Sequence, residues 1–362
     1  MANVFGVIMA GGVGTRFWPR SREKSPKQLL EIVGKGTMVQ STVQRLEPLV
    51  VPRRIFVITN RVQRALLQKQ LTQVPAENII DEPIGRNTAP CIGLAALHIR
   101  RIDPEGVMVV LPADHVIENV EEFHRVLDVA ATTASESGGL LTIGIQPTHP
   151  ATGYGYIQVH TEENNSNPYF ARGVRRVKTF AEKPNLQTAE KFLASGDFLW
   201  TSGMFVWRAD AILREIENCL PDLYKELLKI DQTVDTPQYQ ATLELVYGLI
   251  RGISIDYGVM EKAREVYVIP ANLGWNDLGS WDEVARLTGK DSGGNSITGT
   301  VIQRDMKSCY VFSPTKVVGV IGVEDLIIVN TEDALLICKK GRSQDVKEVV
   351  DYLKRKQMNE YL

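Results

Sequence analysis

Residues 10–28 run Ala10-Gly11-Gly12-Val13-Gly14-Thr15-Arg16-Phe17-Trp18-Pro19 and on to Pro26-Lys27-Gln28. Gly11, Gly12 and Gly14 let main-chain N–H groups approach phosphate oxygens with no Cβ in the way. Arg16 and Lys27 add fixed positive charge, and the Arg16 guanidinium can fork onto two oxygens. The stretch follows an apolar run, Val4–Ala10, that reads as a buried strand, and open α/β sheets bind ligands outside the carboxyl ends of their strands. Two common glycine loops do not fit. No Gly-Lys-Ser/Thr follows four spacers, and a dinucleotide fingerprint needs glycine where Phe17 stands. A tight turn with surface cations is the plainer reading. Three glycines, Arg16 and Pro26-Lys27 gathered after the first strand weigh against it.

Two carboxylates stand in similar settings. Leu111-Pro112-Ala113-Asp114-His115 ends a buried run, and Trp275-Asn276-Asp277-Leu278-Gly279-Ser280-Trp281 holds an aspartate between tryptophans. One aspartate after a strand is commonly a turn former. A carboxylate at such an edge can also bind Mg²⁺, which takes oxygen ligands and keeps substrate phosphates in its shell, and a second carboxylate strengthens that reading. Glu82-Pro83-Ile84-Gly85-Arg86-Asn87-Thr88-Ala89-Pro90 precedes a helical pattern, with Asn87 or Thr88 as its N-cap. The five histidines are scattered, and no Ser-His-Asp or Cys-His arrangement is visible. That suits phosphoryl-type transfer, where positioning and charge stabilisation do most of the work.

These residues need a scaffold. Short apolar runs, Val4–Ala10, Arg54–Thr59, Asn78–Asp81, Val107–Leu111 and Leu140–Ile145, alternate with helical patterns near Met38–Leu46, Val62–Leu71, Ala89–Ile102 and Val120–Ser135. In the last, Val120, Phe123, Leu127 and Ala130 share a face, and Asn119 with Glu122 forms a capping pair. Alternation of this kind predicts an α/β fold with a mostly parallel, doubly wound, Rossmann-like sheet. After Gly153 strands are expected at Tyr154–His160, Val174–Phe180 and Leu199–Trp207, and helices at Ala189–Ala194, Ala209–Cys219 and Tyr239–Leu249. From about residue 288 short β-rich runs, Thr300–Gln303, Cys309–Phe312, Val317–Ile321, Leu326–Val329 and Leu335–Cys338, predict a small β-domain or solenoid. A closing helix near Gln344–Lys354 carries the packing stripe Val346, Val349, Val350 and Leu353. The expected division is a catalytic domain over 1–287 and a C-terminal domain over 288–362.

The chain has 362 residues and a formal charge of −2. Near-neutrality gives no electrostatic case for nucleic acid or an anionic membrane surface. Cys91, Cys219, Cys309 and Cys338 are far apart, which argues against zinc ribbons and redox pairs and for a reducing compartment. No apolar stretch has the length of a bilayer span, and the Val4–Ala10 run is too short and lacks the preceding cations of a signal peptide. A cytoplasmic protein is expected.

The pattern Gly11-Gly12-x-Gly14-x-Arg16-x-x-Pro19 with Pro26-Lys27-Gln28 resembles the signature loop of sugar-nucleotide pyrophosphorylases. The Phe17-Trp18-Pro19-x-Ser21 version with Lys27-Gln28 is most similar to the branch that forms GDP-mannose, the mannose-1-phosphate guanylyltransferases. The resemblance extends across the chain. It implies transfer of GMP from GTP to α-D-mannose 1-phosphate, giving GDP-mannose and pyrophosphate. Arg16 and Lys27 would be catalytic, and Ala10, Gly11, Gly12, Gly14, Thr15, Gly85, Asn87 and Thr88 would bind the nucleotide. Asp114 and Asp277 would hold Mg²⁺. Gly153, Glu182, Lys183, Ser202 and Asp256 would bind the sugar phosphate. It further implies a Rossmann-like catalytic domain with a C-terminal left-handed β-helix, and a homodimer. Other sugars or bases, or a non-catalytic sugar-nucleotide-binding regulatory subunit, are the alternatives. A subunit of that kind is expected to have lost Arg16, Lys27, Asp114 or Asp277, and all four are present.

Overall fold

A computed structural model describes residues 3–160 and 167–362. By their contacts they form two compact units. One comprises Met1–Gly11, Thr42–Ala113 and Ile117–Trp275; the other comprises Gly12–Ser41, Asp114–Val116 and Asn276–Leu362. The second is thus drawn from three separate stretches, and the boundary expected at 287/288 falls inside it.

In chain order the elements are β1 (Val4–Met9), α1 (Met38–Arg45), β2 (Ile55–Asn60), α2 (Arg61–Gln70), β3 (Ile79–Glu82), α3 (Thr88–Ile102), β4 (Val107–Pro112), α4 (Val120–Ser137), β5 (Leu140–Ile145), β6 (Tyr156–Val159), β7 (Arg175–Ala181), α5 (Leu186–Ser195), β8 (Phe198–Arg208), α6 (Ala209–Cys219), α7 (Pro221–Asp231), α8 (Tyr239–Leu249), β9 (Val266–Ala271), α9 (Trp281–Leu287), β10 (Ser296–Arg304), β11 (Tyr310–Ile321), β12 (Leu326–Asn330), β13 (Leu335–Lys339) and α10 (Val346–Arg355).

The first unit carries a nine-stranded sheet in the order β3-β2-β1-β4-β8-β5-β9-β7-β6. The β3-β2-β1-β4 run and the β5–β9 pair are parallel. β8 lies antiparallel between β4 and β5, and β6 and β7 are antiparallel as well. The parallel strands are buried along nearly their whole length, as a sheet covered on both faces requires. Phe5 and Val7 join the cluster formed with Leu94, Ala95 and the inner faces of α6, α7 and α8. On the other side of β1, a Cβ at Gly6 would meet Leu46 at 2.7 Å. Strand order reverses beside β1, between β2 and β4, and the chain leaves both β1 and β4 at their carboxyl ends. There the Ala113 N–H donates to Met9 O at 3.1 Å, the topological switch at which such sheets bind ligands.

The expected capping pair is present in α4, where Asn119 Oδ1 accepts from the Glu122 N–H at 3.1 Å. Sequence reading passes over α7, β9 and α9. α9 has only seven residues, too few for two turns of periodicity. β9 carries Pro270, which interrupts a strand signal.

In the second unit β10, β11 and β12 are parallel neighbours with no helix between them, and β13 closes the sheet antiparallel. Consecutive parallel strands joined by turns form a β-helix-like coil. Met306, Cys309, Val311, Val320 and Ile328 fill it. The runs expected separately at Cys309–Phe312 and Val317–Ile321 belong to one strand, β11. Its pairing with β10 shifts register between Gly299 and Val301, so the Pro314–Lys316 stretch is absorbed as an irregularity. On α10, Val346, Val350 and Leu353 are buried, while Val349 is exposed. All four cysteines are free. Among the described residues no helix is long and apolar enough to cross a membrane.

Candidate functional site

In the second unit, a cavity of about 330 Å³ is lined by Gly14, Arg16, Lys27, Asp114, Asp277 and Lys347, among others. The local sequence explains how these residues meet. Gly14 has φ of +70°, and a Cβ there would lie 2.5 Å from that of Lys27, so only glycine lets the loop close on the Pro26–Leu29 turn. Gln28, which is buried, donates from Nε2 to Gly12 O at 2.8 Å and ties the loop to the same turn. Asp114 and Asp277 are brought near by an isolated antiparallel bridge between Val116 and Asn276, with N–H to O distances of 2.8 and 3.0 Å. Asn276 then folds its own turn, its Oδ1 accepting from the Leu278 N–H at 2.7 Å.

Lys27 is buried. Its ammonium donates to Asp114 Oδ2 at 2.8 Å and to Asp277 O at 2.9 Å. Burial works to raise the Asp114 pKa, but Lys27 and His115 outweigh it and hold the carboxyl below its ordinary value. Arg16 is exposed, and its guanidinium makes no hydrogen bond or ion pair with the described residues. Behind the loop, Phe17 packs on Trp281 with centroids 5.1 Å apart. The Trp281 indole donates to Trp18 O at 3.0 Å, and the Trp18 indole to Tyr361 O at 2.9 Å.

The first unit holds the other predicted groups in two clusters. At the carboxyl end of β3, Glu82 is buried and accepts from the Tyr247 hydroxyl at 3.0 Å. Burial pushes its pKa up to about 7, opposed by that hydrogen bond. Asn87 caps α3, its Oδ1 accepting from the Thr88 N–H at 2.9 Å, while Thr88 Oγ1 accepts from the Ile255 N–H at 2.8 Å. Gly85 is exposed, with nothing near its Cα that a side chain would meet.

In the second cluster, Glu182 Oε1 pairs with Lys183 Nζ at 2.7 Å, and Glu182 Oε2 is buried without a hydrogen-bond partner. Gly155 packs so closely on that oxygen that a Cβ would overlap it. An unsatisfied buried carboxylate oxygen is costly. Burial works against the Lys183 charge, but the Glu182 hydrogen bond leaves its pKa raised. Asp256 opens a single π turn, Asp256–Met260, and burial, then the Glu182 charge, push its pKa up to about 7. Asn87, Lys183 and Leu278 all have positive φ.

The comparisons with known proteins fit this geometry. A family model described as nucleotidyl transferase matches residues 5–292. The chain belongs to the nucleotidyl transferase family. A second model, described as a MannoseP isomerase/GMP-like beta-helix domain, matches residues 299–353. The nucleotidyl transferase is 41% identical over 360 residues to a mannose-1-phosphate guanylyltransferase of Klebsiella pneumoniae, covering 98% of this chain and 75% of that one. The figures are the same for an Escherichia coli protein of that name. Among solved structures it is similar to mannose-1-phosphate geranyltransferase from Thermus thermophilus, with a TM-score of 0.85, 31% identity, and coverage of 97% of this chain and 99% of that one.

Within this nucleotidyl transferase most predicted residues fall into the groups just described. Gly153 is exposed, on the turn before β6. Ser202 is buried in β8, and its hydroxyl donates to Ile143 O at 2.7 Å. Lys347 was missed. It lies on α10, where only the apolar stripe gave a signal.

Proposed function

We propose that this enzyme transfers GMP from GTP to α-D-mannose 1-phosphate, releasing pyrophosphate and forming GDP-mannose. The observation that carries the reading is the cavity that gathers Gly14, Arg16, Lys27, Asp114 and Asp277 from three separate stretches of chain. Main-chain donors and two cations suit a polyphosphate. The likeness to mannose-1-phosphate guanylyltransferases over nearly the whole chain supports the choice of sugar and base.

The sugar phosphate is mostly doubly charged near neutral pH, since the second pKa of a phosphate monoester is about 6. It therefore attacks the α-phosphorus in line without a general base. Ala10, Gly11, Gly12, Gly14 and Thr15 position the triphosphate. Arg16 and Lys27 stabilise charge on the leaving phosphates. Gly85, Asn87 and Thr88 take the base and ribose; Asn87 spends its carbonyl on the helix cap and keeps its amide N–H groups for a ligand. Gly153, Glu182, Lys183 and Asp256 take the sugar phosphate, with the unpartnered Glu182 Oε2 accepting from a sugar hydroxyl.

Asp114 and Asp277 fit a divalent cation, which we take to be Mg²⁺. Both are hard oxygen donors on one cavity, and among the described residues no cluster of three or more His, Cys, Asp or Glu makes a metal cage. Two carboxylates suit a cation that completes its shell with phosphate and water. When bound it would neutralise phosphate charge.

The reading includes a cytoplasmic homodimer with no nucleic-acid partner. The near-zero net charge gives no electrostatic case for a nucleic-acid partner. The deciding experiment is a panel of nucleoside triphosphates against sugar 1-phosphates, read as pyrophosphate release. Preference for GTP with mannose 1-phosphate is expected. A different preferred pair would replace the assignment, and no release with any pair would remove it.

A further inference from the structure

One side chain in the cavity comes from neither the glycine loop nor the aspartate segments: Lys347, on α10. Its position is set by packing. Val346, Val350 and Leu353 are buried in the cluster that holds Phe17, Trp18 and Trp281, and α10 packs on the Thr15–Phe17 turn of the loop. With Val346 fixed inward, the next residue is carried to the rim of the loop cavity.

The three cations of the cavity are in different states. Lys27 is buried and held by Asp114 and by the Asp277 carbonyl. Arg16 and Lys347 are exposed, and their charged ends have no hydrogen bond or ion pair with the described residues. The cavity thus has one cation built into its frame and two with charge to offer. The count matters, because Asp114 and Asp277 line the same space. Arg16 and Lys27 alone only balance these two carboxylates, and Lys347 adds a further positive charge at the exposed rim. The ammonium is exposed on a flexible stem, while Lys27 is enclosed, so Lys347 serves the end of the ligand that stays nearest solvent.

We propose that Lys347 binds the terminal phosphates of the nucleoside triphosphate and, after transfer, the departing pyrophosphate. The proposal rests on the nucleotidyl-transfer reading and adds to it. It makes the C-terminal helix part of the polyphosphate site, and it distinguishes ligands that carry the leaving phosphates from those that lack them.

The test titrates inorganic pyrophosphate into the full chain and its variants by calorimetry, and measures KM for GTP. Lys347→Ala and Lys347→Gln are expected to weaken pyrophosphate binding and raise the KM for GTP by about tenfold, the size of a charge-assisted hydrogen bond to phosphate. Binding of GDP-mannose, which lacks the leaving phosphates, is expected to stay the same. Lys347→Arg should restore most of the loss, and Lys356→Ala at the end of the same helix should change nothing. Unchanged pyrophosphate binding in Lys347→Ala would overturn the proposal. So would an equal loss for GDP-mannose, which marks a general disturbance of the loop. Failure of the underlying reading looks different: unmodified protein would release no pyrophosphate from GTP and mannose 1-phosphate, whatever the Lys347 titrations show.

Discussion

Lys27 Nζ donates to Asp114 Oδ2 at 2.8 Å, joining residues 87 positions apart in the chain. The same ammonium reaches Asp277 O, so one buried cation fixes both aspartate segments at once. It is therefore expected to be the most sensitive point of the phosphate cavity. Lys27→Ala should lower turnover by about 10²–10³-fold, the cost of removing one preorganised charge donor. Asp277→Asn should have a similar effect. Pyrophosphate release measures the rates, and circular dichroism checks that each variant is folded. Near-normal turnover would release that residue from its assigned role.

Metal dependence should follow the two carboxylates. Chelation is expected to abolish activity and added Mg²⁺ to restore it. Asp114→Asn and Asp277→Asn should each raise the Mg²⁺ concentration needed for half-maximal rate. A chelator-insensitive rate would contradict the assignment.

Gly155→Ala tests the Glu182 cluster without touching a charge. The new methyl would overlap Glu182 Oε2 and lie 2.6 Å from Thr201 Cγ2, so the carboxylate must swing away. The KM for mannose 1-phosphate should rise about tenfold or more, as for one lost hydrogen bond to a charged group, while the KM for GTP changes little. Steady-state kinetics with each substrate varied separately reads the split.

Stability should fall as pH rises through neutrality. Glu82 and Asp256 titrate near 7 in the fold, against ordinary values of 4.5 and 3.8. Between those limits the native state binds more protons than the unfolded chain. The stability they contribute is complete below their unfolded values and is lost as pH climbs to 7 and beyond. Asp256→Asn and Glu82→Gln should each flatten the fall in melting temperature between pH 5 and pH 8. An unaltered slope in both would show that neither carboxyl is held protonated.

Trp281 should matter to binding through the loop it supports. Trp281→Ala removes a fully buried indole and is expected to cost about 3–5 kcal/mol. Trp281→Phe keeps the ring contact with Phe17 but loses the bond to Trp18 O, at about 1 kcal/mol. Both should raise the KM for GTP in the same order, measured beside denaturant unfolding.

Much of this was legible in the sequence. The runs behind β1 to β5 are continuous and apolar, and the glycine loop announces itself through residue types that have few other reasons to gather. Local signals of that kind act over a few residues. The Val116–Asn276 bridge, the grip of Lys27 on two distant segments, and Lys347 beside Arg16 are all made by tertiary pairing. No spacing along the chain carries them. The hydrogen bond of Ser202 to Ile143 was hidden for a related reason: which way a strand serine faces depends on a register fixed only when β8 pairs with β5. The insertion of β8 between two parallel groups was likewise invisible, since β8 is as continuously buried as the parallel strands beside it.

The glycine loop belongs to a unit assembled from Gly12–Ser41, Asp114–Val116 and Asn276–Leu362. A chain is made from its amino end, and domains fold as their residues emerge. β1 through β9 can pair while synthesis is still under way. The loop packs on Trp281 and α10, which follow it by more than two hundred residues. On the proposed function, removing α10 takes away part of the cluster on which the loop packs, and with it support for the triphosphate.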